Sequence, residues 1–238
     1  MIPGRISKQN GIESEVSIEC RHALLEGALV VPERSVGIVL FAHGSGSSRR
    51  SPRNRYVAQV LQSQGIATLL FDLLTRAEES VDEFTGKLRF DIPFLAERLI
   101  GATHWVLQRP DLQSLAIGYF GASTGAGAAL VAASRLPDVV RAVVSRGGRP
   151  DLAGDALRSV AVPTLLIVGG NDDPVIGLNQ TALARLKCPE KKLVVIPGAT
   201  HLFEEPGALQ EVAHIAAGWF TQYLPTASRA RASAGQQR

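Results

Sequence analysis

From about residue 36 onward, short unbroken apolar runs alternate with stretches of helical spacing. "VGIVLFA" (36–42) and "TLLIV" (164–168) show no polar alternation. A strand with one wet face alternates. A strand covered on both faces does not, and such strands belong to parallel sheets with helices above and below. The pattern predicts strands over Gly37–Ala42, Ala67–Asp72, Leu115–Phe120, Val140–Ser145, Thr164–Val168 and Lys192–Ile196. It predicts helices over Pro52–Gln64, Asp91–Gln108, Thr124–Leu136, Asn179–Leu186 and Pro206–Tyr223. Two amphipathic strands precede them, Ile18–Arg21 with its N-terminal flank and Ala28–Val31. The expected fold class is therefore α/β, a mostly parallel, doubly wound sheet with an antiparallel start. The longest stretch without a period is 73–89, "LLTRAEESVDEFTGKLR". It reads as a polar loop, too short for a large cap domain.

With 238 residues, the chain can bury one large core, and no linker divides it. The expected organisation is a single domain over 1–224 and a disordered basic tail over 225–238. That tail matters for the charge. Three of the 25 basic residues lie in the last ten positions, and the other 22 balance the 22 acidic residues. The net positive charge is thus a tail effect, and aromatics are only 5%. A nucleic-acid partner would need a basic face with interleaved aromatics, so none is expected. No apolar run is long enough to span a bilayer, and the start lacks the apolar core of a secretory signal. Two cysteines, Cys20 and Cys188, support neither a disulfide framework nor a metal cluster. The expectation is a reduced, cytoplasmic protein with no membrane partner.

In such sheets, loops at the carboxyl ends of the strands build the site. Here those loops carry "HGSGSSRRSPRNR", Asp72, "GASTG", "RGGRPDLAG", "GGNDDPV" and "GATHLFEE". "GASTG" (121–125) fits G-x-S-x-G between a strand and a helix. A strand that reverses into a helix within a few residues brings two backbones together, so flanking positions must be small. The serine at the apex, Ser123, presents its hydroxyl above the sheet edge. Alone, so loose a five-residue match also fits a glycine-rich helix start packed on a sheet.

A nucleophilic serine needs a base. His201 follows the last strand, as a base should. His22 lies near the N-terminal strands, and His104 and His214 fall inside helices. His43 reads as ordering the first loop. The base needs an orienting acid. In G-x-x-D-x-x-V, Gly169, Asp172 and Val175 fall in place; starting from Gly170 selects Asp173 instead. The first frame makes Asp172 the acid and the other aspartate a helix N-cap. The order Ser123, Asp172, His201 is the order of α/β-hydrolases.

A reading of another class starts at "VGIVLFAHGSGSSR", a strand followed by G-x-G-x-x, with Asp72 ending the next strand. That resembles a dinucleotide-binding turn. Its sixth position is Arg49 rather than glycine or alanine, and it leaves Ser123, Asp172 and His201 unexplained. A hydrolase fold kept as a non-catalytic binding module is the remaining alternative.

The four segments "LFAHGSGSS", "GASTG", "GGNDDPV" and "GATHLF" resemble the α/β-hydrolase superfamily, and within it the dienelactone hydrolase-like group. The likeness runs over roughly 15–224. It implies an α/β-hydrolase fold with an eight-stranded sheet, flanking helices, and no metal or organic cofactor. One departure stands out: dienelactone hydrolases proper carry a cysteine nucleophile, whereas this chain has Ser123. That favours a general esterase reading, with a small ester or lactone as substrate, or a thioester cleaved by the same groups. The oxyanion donors expected are the backbone amides of Thr124 and Ser45, with Gly44 and Gly46 leaving the loop free to turn. Arginines flank the same edge. Arg53, Arg146 and Arg149 are candidate holders of a substrate carboxylate or phosphate, beside Arg49, Arg50 and Arg55; a solvated rim is the plainer reading.

Overall fold

The computed structural model describes residues 11–224. The predicted tail at 225–238 lies outside the described residues. Eight strands form one sheet in the order β1-β2-β4-β3-β5-β6-β7-β8. They are β1 (Glu13–Cys20), β2 (Ala23–Val30), β3 (Gly37–Ala42), β4 (Ile66–Phe71), β5 (Ala116–Ala122), β6 (Val140–Arg146), β7 (Thr164–Gly169) and β8 (Lys191–Ile196). β1 pairs antiparallel with β2, and β2 antiparallel with β4; the pairs from β4 through β8 are parallel. The mixed sheet with an antiparallel start matches the expectation from sequence.

The helices are α1 (Pro52–Ser63), α2 (Arg76–Thr85), α3 (Ile92–Gln108), α4 (Thr124–Arg135), α5 (Asp173–Arg185) and α6 (Ala208–Tyr223). They form a layer on each face. β3 shows why its run has no polar residues. Ile38, Leu40 and Ala42 join the core layer under α3 and α4, while Val39 and Phe41 join the layer under α1 and α6. Period-two alternation sends successive side chains to opposite faces, and both faces are covered.

Three elements differ from the sequence reading. The segment read as the polar loop 73–89 contains α2. Thr75 and Glu78 form a reciprocal capping box at its start, and Gly86 ends it in the left-handed region (φ 63°). Only Asp82 of this helix is buried; its apolar residues Ala77, Val81 and Phe84 recur at helical spacing but face outward. α5 begins at Asp173, not Asn179, with Pro174 in its first turn. A 3-10 segment, Pro150–Ser159, follows β6 where a plain loop was expected.

The strand order reverses direction between β3 and β5. The chain leaves β3 for β4 on one side and returns to β5 on the other. A crevice opens at the carboxyl ends of strands at such a switch point. The residues after β3 and β5 are the "HGSG" loop and Ser123.

Candidate active site

Ser123 sits between β5 and α4 with φ 49° and ψ −122°, a region that non-glycine residues rarely enter. The surrounding backbone holds it there. Its N–H donates to Arg146 O (3.3 Å), and its carbonyl accepts from Ala126 N (3.1 Å) and Arg149 N (3.0 Å). The glycines beside it are forced by contact. A Cβ on Gly125 would overlap Ala42 O and lie 2.5 Å from His43 O, and one on Gly44 would lie 2.9 Å from Ser123 Cβ. The elbow is therefore wedged into the end of β3.

His201 lies on the loop between β8 and α6. Its Nδ1 is 2.7 Å from Asp172 Oδ2. Asp172 occupies the N-cap position of α5, yet its carboxylate makes no capping bond. Asp173 is the first helical residue and is exposed, so it is not the N-cap that the sequence reading made of it. The two loops are stitched by backbone bonds, Gly170 N to Ile196 O (2.8 Å) and Asn171 N to Ala199 O (2.9 Å). His201 also packs on the end of β6, where a Cβ on Gly147 would sit 3.7 Å from its Cε1. The neighbouring Arg146 carbonyl holds Ser123 N, so one strand end positions both residues.

His43 is half-buried and makes two bonds. Its Nε2 accepts from Leu73 N (3.1 Å), which leaves the proton on Nδ1 to donate to Gly44 O (3.0 Å). Burial pushes its pKa down, so the neutral ring is favoured. It ties the "HGSG" loop to the loop after β4. His214 bonds Gln210 O within its own helix.

The Ser45 amide is not aimed at open space. It donates to Thr124 Oγ1 at 2.8 Å. Thr124 is the first residue of α4 and is 5% exposed. Its own N–H is among the first-turn amides that have no intrahelical acceptor.

The arginines separate sharply. Arg49 pairs with Asp72 and Glu26 and lies 3.6 Å from Glu15, bracing β3 against β2 and β4. Arg149 pairs with Asp151 (2.8 Å). Arg53 pairs with Glu204 (3.1 Å), and Arg55 with Glu13 (2.9 Å). Arg146 is different. It is 6% exposed, its Nη2 donates to Asn54 Oδ1 (2.9 Å), and its Nε has no partner. Its guanidinium lies 5.9 Å from the Phe203 ring centre. Burial, then the nearby Arg53 charge, pull its pKa down from the usual arginine value to about 10. Every acidic side chain of the chain lies within the described residues, and none pairs with it. Asn54 and Phe203 were not singled out from sequence. An asparagine in the first turn of a helix carries no signal of its own burial.

Comparison with known proteins identifies the family. The family model "Dienelactone hydrolase family" matches residues 25–222. A crystal structure of dienelactone hydrolase from Anabaena variabilis ATCC 29413 is 61% identical and superposes with a TM-score of 0.88. The match covers 90% of this chain and 99% of that one. Est1E from Butyrivibrio proteoclasticus, at 16% identity and TM-score 0.73, covers 87% of this chain and 98% of that chain and shares the fold. A Mycobacterium tuberculosis (H37Rv) protein, provisionally named a phosphoribosyl transferase, is 59% identical over 214 residues, covering 89% of this chain. Only 47% of that protein is covered, so the chain spans about half the length of these curated relatives. The fold, the site-bearing loops and the matched span together make this chain a member of the dienelactone hydrolase family of α/β-hydrolases.

Proposed function

We propose that this chain is a serine hydrolase that cleaves a small carboxylic ester or lactone through an acyl-enzyme at Ser123. The observation that carries the reading is the 2.7 Å pair of His201 Nδ1 with Asp172 Oδ2, on loops stitched beside the Ser123 elbow. That pair fixes the tautomer. With Nδ1–H held by the carboxylate, Nε2 is the free base. His201 takes the Ser123 proton as Oγ attacks the acyl carbon. The carbonyl π electrons move to oxygen, then return as the C–O bond to the leaving group breaks. His201 returns its proton to the leaving oxygen. Water repeats the sequence and releases the acid. Asp172 stabilises the imidazolium formed in each half. The free Thr124 amide faces the developing oxyanion at the helix N-terminus.

Arg146 supports an anionic substrate. A buried guanidinium with an idle Nε and no carboxylate is unfavourable unless an anion joins it. Arg146 follows Ser145 at the same strand end that positions Ser123 and His201. Arg53, one residue from Asn54, adds positive potential beside it, while Arg149 is committed to Asp151. We assign the carboxylate of an acidic ester or lactone to Arg146. Both cysteines are free thiols, in keeping with a cytoplasmic site of action. Among the described residues, no helix is long and apolar enough to cross a membrane.

The test is a parallel assay of p-nitrophenyl esters of rising chain length, a cyclic lactone, an acyl thioester, and a carboxylate-bearing ester beside its methyl ester. Ester or lactone turnover with preference for the carboxylate is expected. Faster thioester turnover would reassign the acyl group, and no turnover of any of them would contradict the reading.

A further inference from the structure

We infer that the Thr124 side-chain hydroxyl is itself an oxyanion donor, polarised by the Ser45 amide behind it; this rests on the acyl-transfer reading above. The usual two-amide picture would have Ser45 N–H point at the substrate oxygen. Here it donates to Thr124 Oγ1 at 2.8 Å. A hydroxyl that accepts a bond still has one proton to give. Of the other buried threonines, Thr103 gives that proton to Leu99 O (2.8 Å) and Thr164 to Val162 O (2.9 Å), whereas Thr68, inside β4, only accepts, from Gln62 Nε2 (2.8 Å). Thr124 has no such outlet. As the first residue of α4 it has no preceding helical turn to bond back to. Its hydroxyl proton and its own amide proton are therefore both unspent, on the residue next to Ser123. The chain Ser45 N–H···Oγ1–H···O⁻ delivers the loop amide's dipole through the hydroxyl, and each link strengthens the next.

The site is rigid enough to hold this geometry. Thr124 is nearly buried, and Gly44 lies against Ser123 Cβ. His43 fixes the Gly44 carbonyl from the far side, which orients the Ser45 amide. The hydroxyl interaction strengthens as the carbonyl oxygen gains charge, so it serves the transition state more than the bound ester.

The test compares Thr124→Val, close in shape without the hydroxyl, with Thr124→Ser, which retains it. Three quantities are read on each: kcat and KM for a p-nitrophenyl ester, the inhibition constant of an alkyl boronic acid, and the rate of fluorophosphonate labelling. Thr124→Val should lose about 10²- to 10³-fold in kcat, the usual loss for one oxyanion donor. Its KM should barely move, while boronic acid affinity and labelling rate fall with kcat. Thr124→Ser should recover most of all three. Should Thr124→Val not fold, Thr124→Ala gives the same readout. A hydroxyl-free variant with parental kcat, or a faster one in which the released Ser45 amide serves directly, overturns the inference. A labelled parent with such a variant overturns this inference alone. An unlabelled parent that hydrolyses no ester overturns the acyl-transfer reading with it.

Discussion

Replacing Arg146 with Met should stabilise the protein while removing its preference for anionic substrates. The guanidinium is held at about pKa 10, well below the usual arginine value, with burial the main cause and Arg53 the second. At about 1.4 kcal/mol per tenfold change in proton affinity, carrying this charge costs the fold about 3 kcal/mol. The sign follows from the depressed value. Below about pH 10 the group is charged in both folded and unfolded chains, and the full cost is present. The cost is relieved as pH rises from there toward the usual arginine value. Met keeps the apolar stem of the side chain and removes the guanidinium beside Phe203. Against that gain, Asn54 Oδ1 loses its donor, a loss of about 1–2 kcal/mol for a buried acceptor. The net expectation is a stabilisation of about 1–2 kcal/mol. In a chain of this size that is a rise in Tm of a few degrees, at about 2–4 °C per kcal/mol. Thermal melts at pH 7 and pH 10.5 measure it, with the gap between variants narrower at the higher pH. The same proteins should lose the carboxylate-over-methyl-ester ratio in kcat/KM. A Met variant that melts several degrees below the parent would refute the reasoning, since the charge would then be supporting the fold.

Asp172→Asn should lower kcat by about 10⁴-fold, because the amide disturbs the tautomer held at His201, whereas Asp173→Asn should change it little; steady-state kinetics decide, and the opposite ranking would mean that the His201 contact is not the working one. Gly125→Ala should destabilise by more than about 3 kcal/mol, since the new Cβ meets the Ala42 and His43 carbonyls and neither backbone can yield. Gly177→Ala, with nothing within 4 Å in α5, should instead raise Tm slightly. Melting curves of the two together check that contact, and not glycine loss as such, sets the sign.

The parallel core of the sheet was legible because β3, β5 and β7 are buried on both faces, which leaves an unbroken apolar run in the sequence. β1 was read too short because it is an edge strand with mostly exposed residues, "ESEVSIEC". α2 is short and polar, and its three apolar residues at helical spacing, Ala77, Val81 and Phe84, lie among charges and face outward, so the caps, Thr75 with Glu78 and Gly86, are its clearest marks. Pro174 was the overlooked start signal of α5. The elbow and the His201 and Asp172 loops were legible because each follows a strand and carries a reactive residue in a short motif. Apart from Arg149 with Asp151, the roles of the arginines were not, since their pairing depends on acids far away in sequence. Arg49 meets Glu26 across 23 positions and Arg53 meets Glu204 across 151. Only folding shows that Arg146 is left without a carboxylate. The Ser45 amide was assigned to the oxyanion from loop chemistry alone, and the Thr124 hydroxyl that intercepts it cannot be seen in a motif.

The central claim is that Ser123 forms the covalent intermediate. The most direct measurement is intact-mass and peptide mass spectrometry after treatment with a fluorophosphonate, on the parent and on Ser123→Ala. The account predicts one adduct per chain, on the peptide containing Ser123, with loss of ester hydrolysis in proportion to labelling and no adduct in the alanine variant. Labelling that persists in Ser123→Ala, or hydrolysis that survives full labelling, would contradict it.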